Sequence, residues 1–142
     1  MPPLLFPYVI RELEQAVHKC RKECPPTGCP DTAVSFVDSG FAFYAGSLED
    51  GSGSGLFLYS IAERECKEFR TCGKHGDSTK GTSHVNTMIL KEFEAMQTNV
   101  TKKACSDAHA TKDLITRRMM IPLIQGTLRY AYKRSSGTAT EL

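Results

Sequence analysis

Six cysteines in a chain of 142 residues constrain this protein more than any other feature of its sequence. They stand at Cys20, Cys24, Cys29, Cys66, Cys72 and Cys105. An even number in a short chain reads as a disulfide framework, and six cysteines allow about 15 pairings. Zinc would need close Cys/His pairs at C-x2-4-C spacing. Cys20-x3-Cys24 and Cys24-x4-Cys29 come near it, but no second well-spaced pair follows. Disulfides are therefore expected, which places the chain in an oxidising compartment, extracellular, at a cell surface or lumenal. Cys66 and Cys72 are close enough to close a short loop at a helix end. The spacing leaves the other four open.

The rest of the chain reads as one small domain over 1–142, with a folded core at 7–134 and a tail at 135–142. Apolar residues make up 40% and charged residues 24%, which suits a globular core. A net charge of +2 argues against nucleic acid as a partner. The basic clusters Lys19-Cys20-Arg21-Lys22 and Arg117-Arg118 are short and fit solvated helix faces. No apolar run reaches the roughly 18 residues of a membrane span, and Met1–Pro7 does not read as a signal peptide.

Hydrophobic periodicity predicts a mainly α fold, a compact disulfide-stapled bundle of four to five helices. Ile10, Leu13, Val17, Cys20 and Cys24 mark the first helix, which Pro7 precedes and Pro25-Pro26 ends. Asp31 or Thr32 caps a second, with Val34, Val37, Phe41 and Tyr44 on one face. Gly40 inside it keeps a strand reading of 33–44 open. Gly46–Gly55 is a loop that looks either like a flexible linker or like a native Gly/Ser turn. Leu58, Ile61 or Ala62, Cys66 and Phe69 mark a third helix over 56–69, and 71–82 is polar loop. Ser83 caps a fourth, carrying Val85, Met88, Ile89, Phe93 and Met96. A last helical region opens at Ser106 or Asp107. Pro122 should kink or restart it, turning Leu123, Ile124, Thr127, Leu128 and Ala131 inward. Asn99-Val100-Thr101 is an N-glycosylation sequon, which requires a surface position.

Catalytic signatures are missing from the sequence: it has no nucleophile elbow, phosphate loop or dinucleotide fingerprint. The expectation is a protein that is not an enzyme. Oxygen donors are better represented. His109 and Asp113 share a helix face at i, i+4, as do Tyr59 and Glu63, and Asp38, Tyr44, Tyr130 and Tyr132 add to the supply. Hard cations take such ligands, although i, i+4 polar pairs are more often solvated surface and helix tyrosines more often core.

Three stretches resemble a known group. One runs Phe43-Tyr44-Ala45-Gly46-Ser47-Leu48, then Gly51-Ser52-Gly53-Ser54-Gly55, then Leu58-Tyr59-Ser60-Ile61-Ala62-Glu63-Arg64 to Thr71-Cys72-Gly73. The second is Gly81-Thr82-Ser83-His84-Val85-Asn86. The third is Ile121-Pro122-Leu123-Ile124-Gln125-Gly126-Thr127-Leu128-Arg129-Tyr130-Ala131-Tyr132-Lys133. Together, over about 32–133, they resemble the domain of algal iron-starvation-induced surface proteins, which include the phytotransferrins and the low-iron-inducible periplasmic proteins. The resemblance implies a cell-surface domain that takes up ferric iron with carbonate as a synergistic anion. It makes the Gly/Ser run native. Within its motifs, Tyr44, Tyr59 and Tyr130 are the candidate metal donors. Arg129 or a helix N-terminus is the candidate partner of the anion. The competing expectation is a structural or interaction module, without metal, in a larger extracellular or lumenal assembly with protein partners.

Overall fold

The computed structural model describes residues 5–22, 32–46 and 55–135. Five helices follow one another: α1 (Leu5–Arg21), α2 (Ala33–Ala45), α3 (Leu58–Phe69), α4 (His84–Thr101) and α5 (Cys105–Ser135). No strand occurs among the described residues; Cys72 forms only isolated bridges with Ser78 and Ser83. The expected disulfide-stapled helical bundle is what the chain forms. Cys24, Cys29, most of the Gly/Ser run and the tail after Ser135 lie outside the described residues.

Each helix follows from its apolar spacing. In α1, Val9, Leu13, Ala16, Val17 and Cys20 are buried and recur on one face. Pro7 lies inside its first turn, not before it. That is tolerated because a first-turn N–H has no partner within the helix. Thr32 caps α2, its hydroxyl accepting from the Ser35 N–H at 3.2 Å. Helix, not strand, holds over 33–45, and Gly40 is buried where α2 faces α1. A Cβ there would lie in ordinary contact with the Leu13 side chain, at 3.4 Å. Ser83 caps α4 as expected, accepting from the Asn86 N–H.

The larger correction concerns α5. It is a single 31-residue helix running through Pro122, with no restart. Its core face continues in phase through Ala108, Thr111, Ile115, Met119 and Pro122. The proline ring, buried against the bundle, takes a place in the core stripe. Because the phase is not reset, Ile124, Thr127, Leu128 and Ala131 point outward and Leu123 is only half-buried.

α1 packs most extensively on α2, and α4 on α5. Among the described residues two disulfides lock this arrangement. Cys20 at the end of α1 is bonded to Cys105 at the start of α5, closing 85 residues of separation. Cys66 is bonded to Cys72, the pairing expected from their spacing. Arg70, in the left-handed region at φ 55°, closes α3 between them. The loop beyond is knitted by paired bonds between Cys72 and Ser78 and by Gly73 N–H to Thr82 O at 2.8 Å. Bonds of this kind suit an oxidising environment. No helix of the described residues is long and apolar enough to cross a membrane.

Candidate cation site

The core face of α4 should be apolar throughout, yet Asn86 interrupts it one turn before Ile89. Asn86 is fully buried, and so is Tyr44. A buried amide must find partners, and Asn86 finds them on two neighbouring helices. Its Oδ1 accepts the hydroxyl proton of Tyr44 from α2. Its Nδ2 donates to the Tyr59 carbonyl at 2.9 Å and to Glu63 Oε1 at 2.7 Å, both on α3. Glu63 Oε1 also accepts from the Ser83 N–H at 3.0 Å. The carboxylate thus sits at the N-terminus of α4, where the helix dipole favours negative charge.

The Tyr44 and Tyr59 rings meet edge to face, with centroids 6.3 Å apart. The Tyr44 phenol and the Glu63 carboxylate meet the amide directly, and Tyr59 meets it through its backbone carbonyl while its ring lies edge-on to Tyr44. Electrostatics reflects the crowding. Burial, followed by Tyr59 and Glu63, holds the Tyr44 phenol well above the usual tyrosine range. Burial and then Glu63 raise Tyr59 as well. Both phenols are neutral at physiological pH, and Tyr44 needs its proton to reach Asn86.

This has a consequence for stability. A phenol whose pKa is raised on folding binds its proton more tightly in the folded than in the unfolded chain. Stability from this source is complete below the unfolded value of about 10 and is lost as pH rises through the folded value. Urea unfolding followed by circular dichroism should show stability declining steeply above about pH 10. In Tyr44→Phe the decline should be shallower; an identical slope would mean that Tyr44 is not held neutral by burial.

Of the donors the sequence offered, the structure brings together Tyr44, Tyr59 and Glu63. Tyr130 does not join them. It is 59% exposed near the end of α5, with the Arg134 guanidinium 5.8 Å over its ring. Arg129 is not a free cation. Its Nε and Nη2 donate to Glu65 Oε2 and Oε1, each at 2.8 Å, and Arg64 Nε reaches Oε1 at 3.1 Å. Glu65 is completely buried, so this triad ties α3 to α5 and leaves Arg129 engaged. His109 and Asp113 form an ordinary surface pair at 3.5 Å. Lys112, chiefly by hydrogen bonding, holds the Asp113 carboxyl below its usual range. Asp38 accepts from Gln97 on the α2–α4 side. Asn99 lies within α4, half-buried, and its amide nitrogen donates to Thr111 at 3.2 Å. A glycan on that nitrogen would have to be accommodated beside α5.

Asn86, Ser83 and Glu65 were not picked out as site or network residues from the sequence. The signal was present for two of them. Asn86 and Glu65 occupy core positions of otherwise apolar stripes, at i−3 of Ile89 and i+4 of Ile61. Polar residues there imply a buried network.

Among the described residues no three of His, Cys, Asp and Glu cluster as a metal site, so any cation site here depends on the phenols. Comparison with known protein families, with curated proteins and with solved structures returned no match.

Proposed function

We propose that this chain is a ferric-iron-binding domain of the algal iron-uptake type, working in an oxidising extracellular or surface setting. The convergence of Tyr44, Tyr59 and Glu63 around Asn86 carries the reading. These are hard oxygen donors, the kind such a cation selects. Once both phenols are deprotonated, the two phenolates and the Glu63 carboxylate together supply three negative charges against a trivalent ion. Asn86 holds Glu63 through its Nδ2, as outer-shell amides do, while its hydrogen bond from Tyr44 is given up when that phenol loses its proton. The resemblance adds carbonate as a synergistic anion. With Arg129 held by Glu65 and the N-terminus of α4 facing Glu63, the metal itself is the positive charge left to attract it.

Iron must displace two phenol protons, so affinity is expected to fall by about 100-fold per pH unit as the solution is acidified. That is a release mechanism needing no further device. The test is titration of the folded, oxidised protein with ferric iron, with and without bicarbonate, followed by the visible phenolate-to-iron band. A band that needs bicarbonate supports iron and anion together. A band in both conditions supports iron and removes the anion. No band in either rejects the iron reading. Tyr59→Phe and Glu63→Gln should each weaken binding by about 100-fold or more, since even outer-shell groups are worth 10–100-fold. Tyr44→Phe should weaken it comparably, and Tyr130→Phe should leave it unchanged.

A second reading, an interaction module without metal, is favoured by the satisfied Tyr44–Asn86 hydrogen bond. In that case the network is a polar keystone of the core. The same titration separates the two.

A further inference from the structure

Tyr44 meets Asn86 at one end of the contact between α2 and α4, and Asp38 meets Gln97 at the other. The two helices therefore run antiparallel. Toward the second of these ties they leave a cavity of about 320 Å³, a volume that suits a small molecule. Its apolar walls are Val37 and Phe41 from α2 and Leu90 and Phe93 from α4. The Phe41 and Phe93 rings meet edge to face, with centroids 5.4 Å apart. Phe93 also packs against the Tyr44 ring, at 5.9 Å between centroids, so the cavity adjoins the candidate cation site without sharing its polar groups.

The charge around this cavity is of one sign. Asp38 lines it from α2 and Glu94 from α4, and no basic side chain lines it among the described residues. Gln97 Nε2 donates to Asp38 Oδ1 at 3.2 Å, which leaves Oδ2 available. Glu94 enters no ion pair among the described residues. Lys91 stands three residues before Glu94 on α4, where it weakens the local field, but it neither lines the cavity nor pairs with Glu94. An anion would be repelled here. A metal ion would find two carboxylates and an apolar floor, and no cluster of three metal-ligating side chains occurs among the described residues. A neutral apolar molecule would cover the carboxylates and give them nothing in return. An organic cation with an apolar body satisfies both parts: its ammonium group lies between the carboxylates, its body lies among the side chains of the walls, and the aromatic rings add attraction for the charge.

We propose that the cavity between α2 and α4 binds a small organic ammonium ion with an aromatic or aliphatic body, held at its charged end by Asp38 and Glu94. This rests on the cavity alone and is independent of the iron reading. The test is titration of the full, oxidised, metal-free chain with 2-phenylethylamine, followed by NMR of the Val37 and Leu90 methyl groups. Saturable shifts of these methyls are expected. The uncharged 2-phenylethanol should bind about tenfold more weakly, and 3-phenylpropionate should not bind. Asp38 and Glu94 are both exposed, so Asp38→Asn and Glu94→Gln should leave the helical circular dichroism unchanged. Each should weaken the amine by about threefold, the scale of one exposed ion pair. The two together should abolish its advantage over the alcohol. Leu90→Trp, which fills the cavity from a half-buried position, should remove binding. No saturable shift up to the solubility of the amine, equal binding of the alcohol, binding of the carboxylate, or full affinity in the Asp38→Asn/Glu94→Gln chain would each overturn the proposal.

Discussion

Replacing Arg129 by methionine is expected to destabilise the protein by about 3–5 kcal/mol, the usual cost of leaving a buried charge without its partner. Glu65 is fully inaccessible, and two of its three guanidinium contacts come from Arg129. The remaining contact is from Arg64, whose side chain is 42% exposed and weakened by solvent. The double variant Glu65→Leu/Arg129→Met should recover most of the loss, because an apolar pair of similar volume replaces a buried ion pair at little cost. Urea unfolding of both variants measures the effect. A loss below about 1 kcal/mol for the single variant would mean that Glu65 is not held as a charge in the core. The same variant bears on function. Arg129→Met, kept below its melting temperature, should bind ferric iron and respond to bicarbonate as the parent does. Loss of the bicarbonate response alone would return Arg129 to the anion.

Removing the Cys20–Cys105 bridge by the double change Cys20→Ala/Cys105→Ala should have a comparable effect. The bridge closes 85 residues of separation. By the chain-entropy relation a loop of this size constrains the unfolded state by about 4.5 kcal/mol. For a domain of this length that corresponds to a fall in melting temperature of about 10–20 °C. The Cys66–Cys72 bridge closes a far shorter loop, for which the same relation gives about 2 kcal/mol. Thermal unfolding under non-reducing conditions should therefore rank the first pair above the second. The reverse order would show that the small bridge acts by holding the 72–83 loop in place, more than by restricting the unfolded chain. That loop brings Ser83 to Glu63, so a role for it in the candidate site would then be tested directly by iron titration of Cys66→Ala/Cys72→Ala.

Much of the fold was legible because its signals are local. Thr32 and Ser83 are caps whose hydroxyls act within three residues. The stripes of α1, α3 and α4 repeat at helical spacing. The short spacing of Cys66 and Cys72 pointed to their pairing, although Cys20, nearer still to Cys24, is bonded to Cys105 instead. Pro122 misled because a proline inside a helix usually costs a hydrogen bond and a clash. Its ring, however, fits a core position, and the bundle outweighs that local preference. The error propagated: a restart at Pro122 would have turned Ile124 and Leu128 inward, and the unbroken phase turns them out.

The candidate site divides in the same way. Tyr44 and Tyr59 were visible as donors, and Glu63 as a partner one turn from Tyr59. That Tyr44 should reach Asn86, 42 residues away, and through it Glu63 depends on how α2, α3 and α4 pack. No spacing within one helix encodes that. Arg129 and Tyr130 are adjacent in sequence and looked like parts of one site. On a helix adjacent residues diverge by about 100°, so one is drawn to Glu65 and the other goes to solvent.

By itself, then, the sequence determined the helical class, the cap at Ser83 and a supply of oxygen donors, and pointed to the short disulfide, because each depends on contacts a few residues long. The tertiary structure decided the long disulfide, which polar residues are buried, which donors meet and which face of α5 is left open. Those depend on contacts between distant segments, where burial and helix phase outweigh local preference.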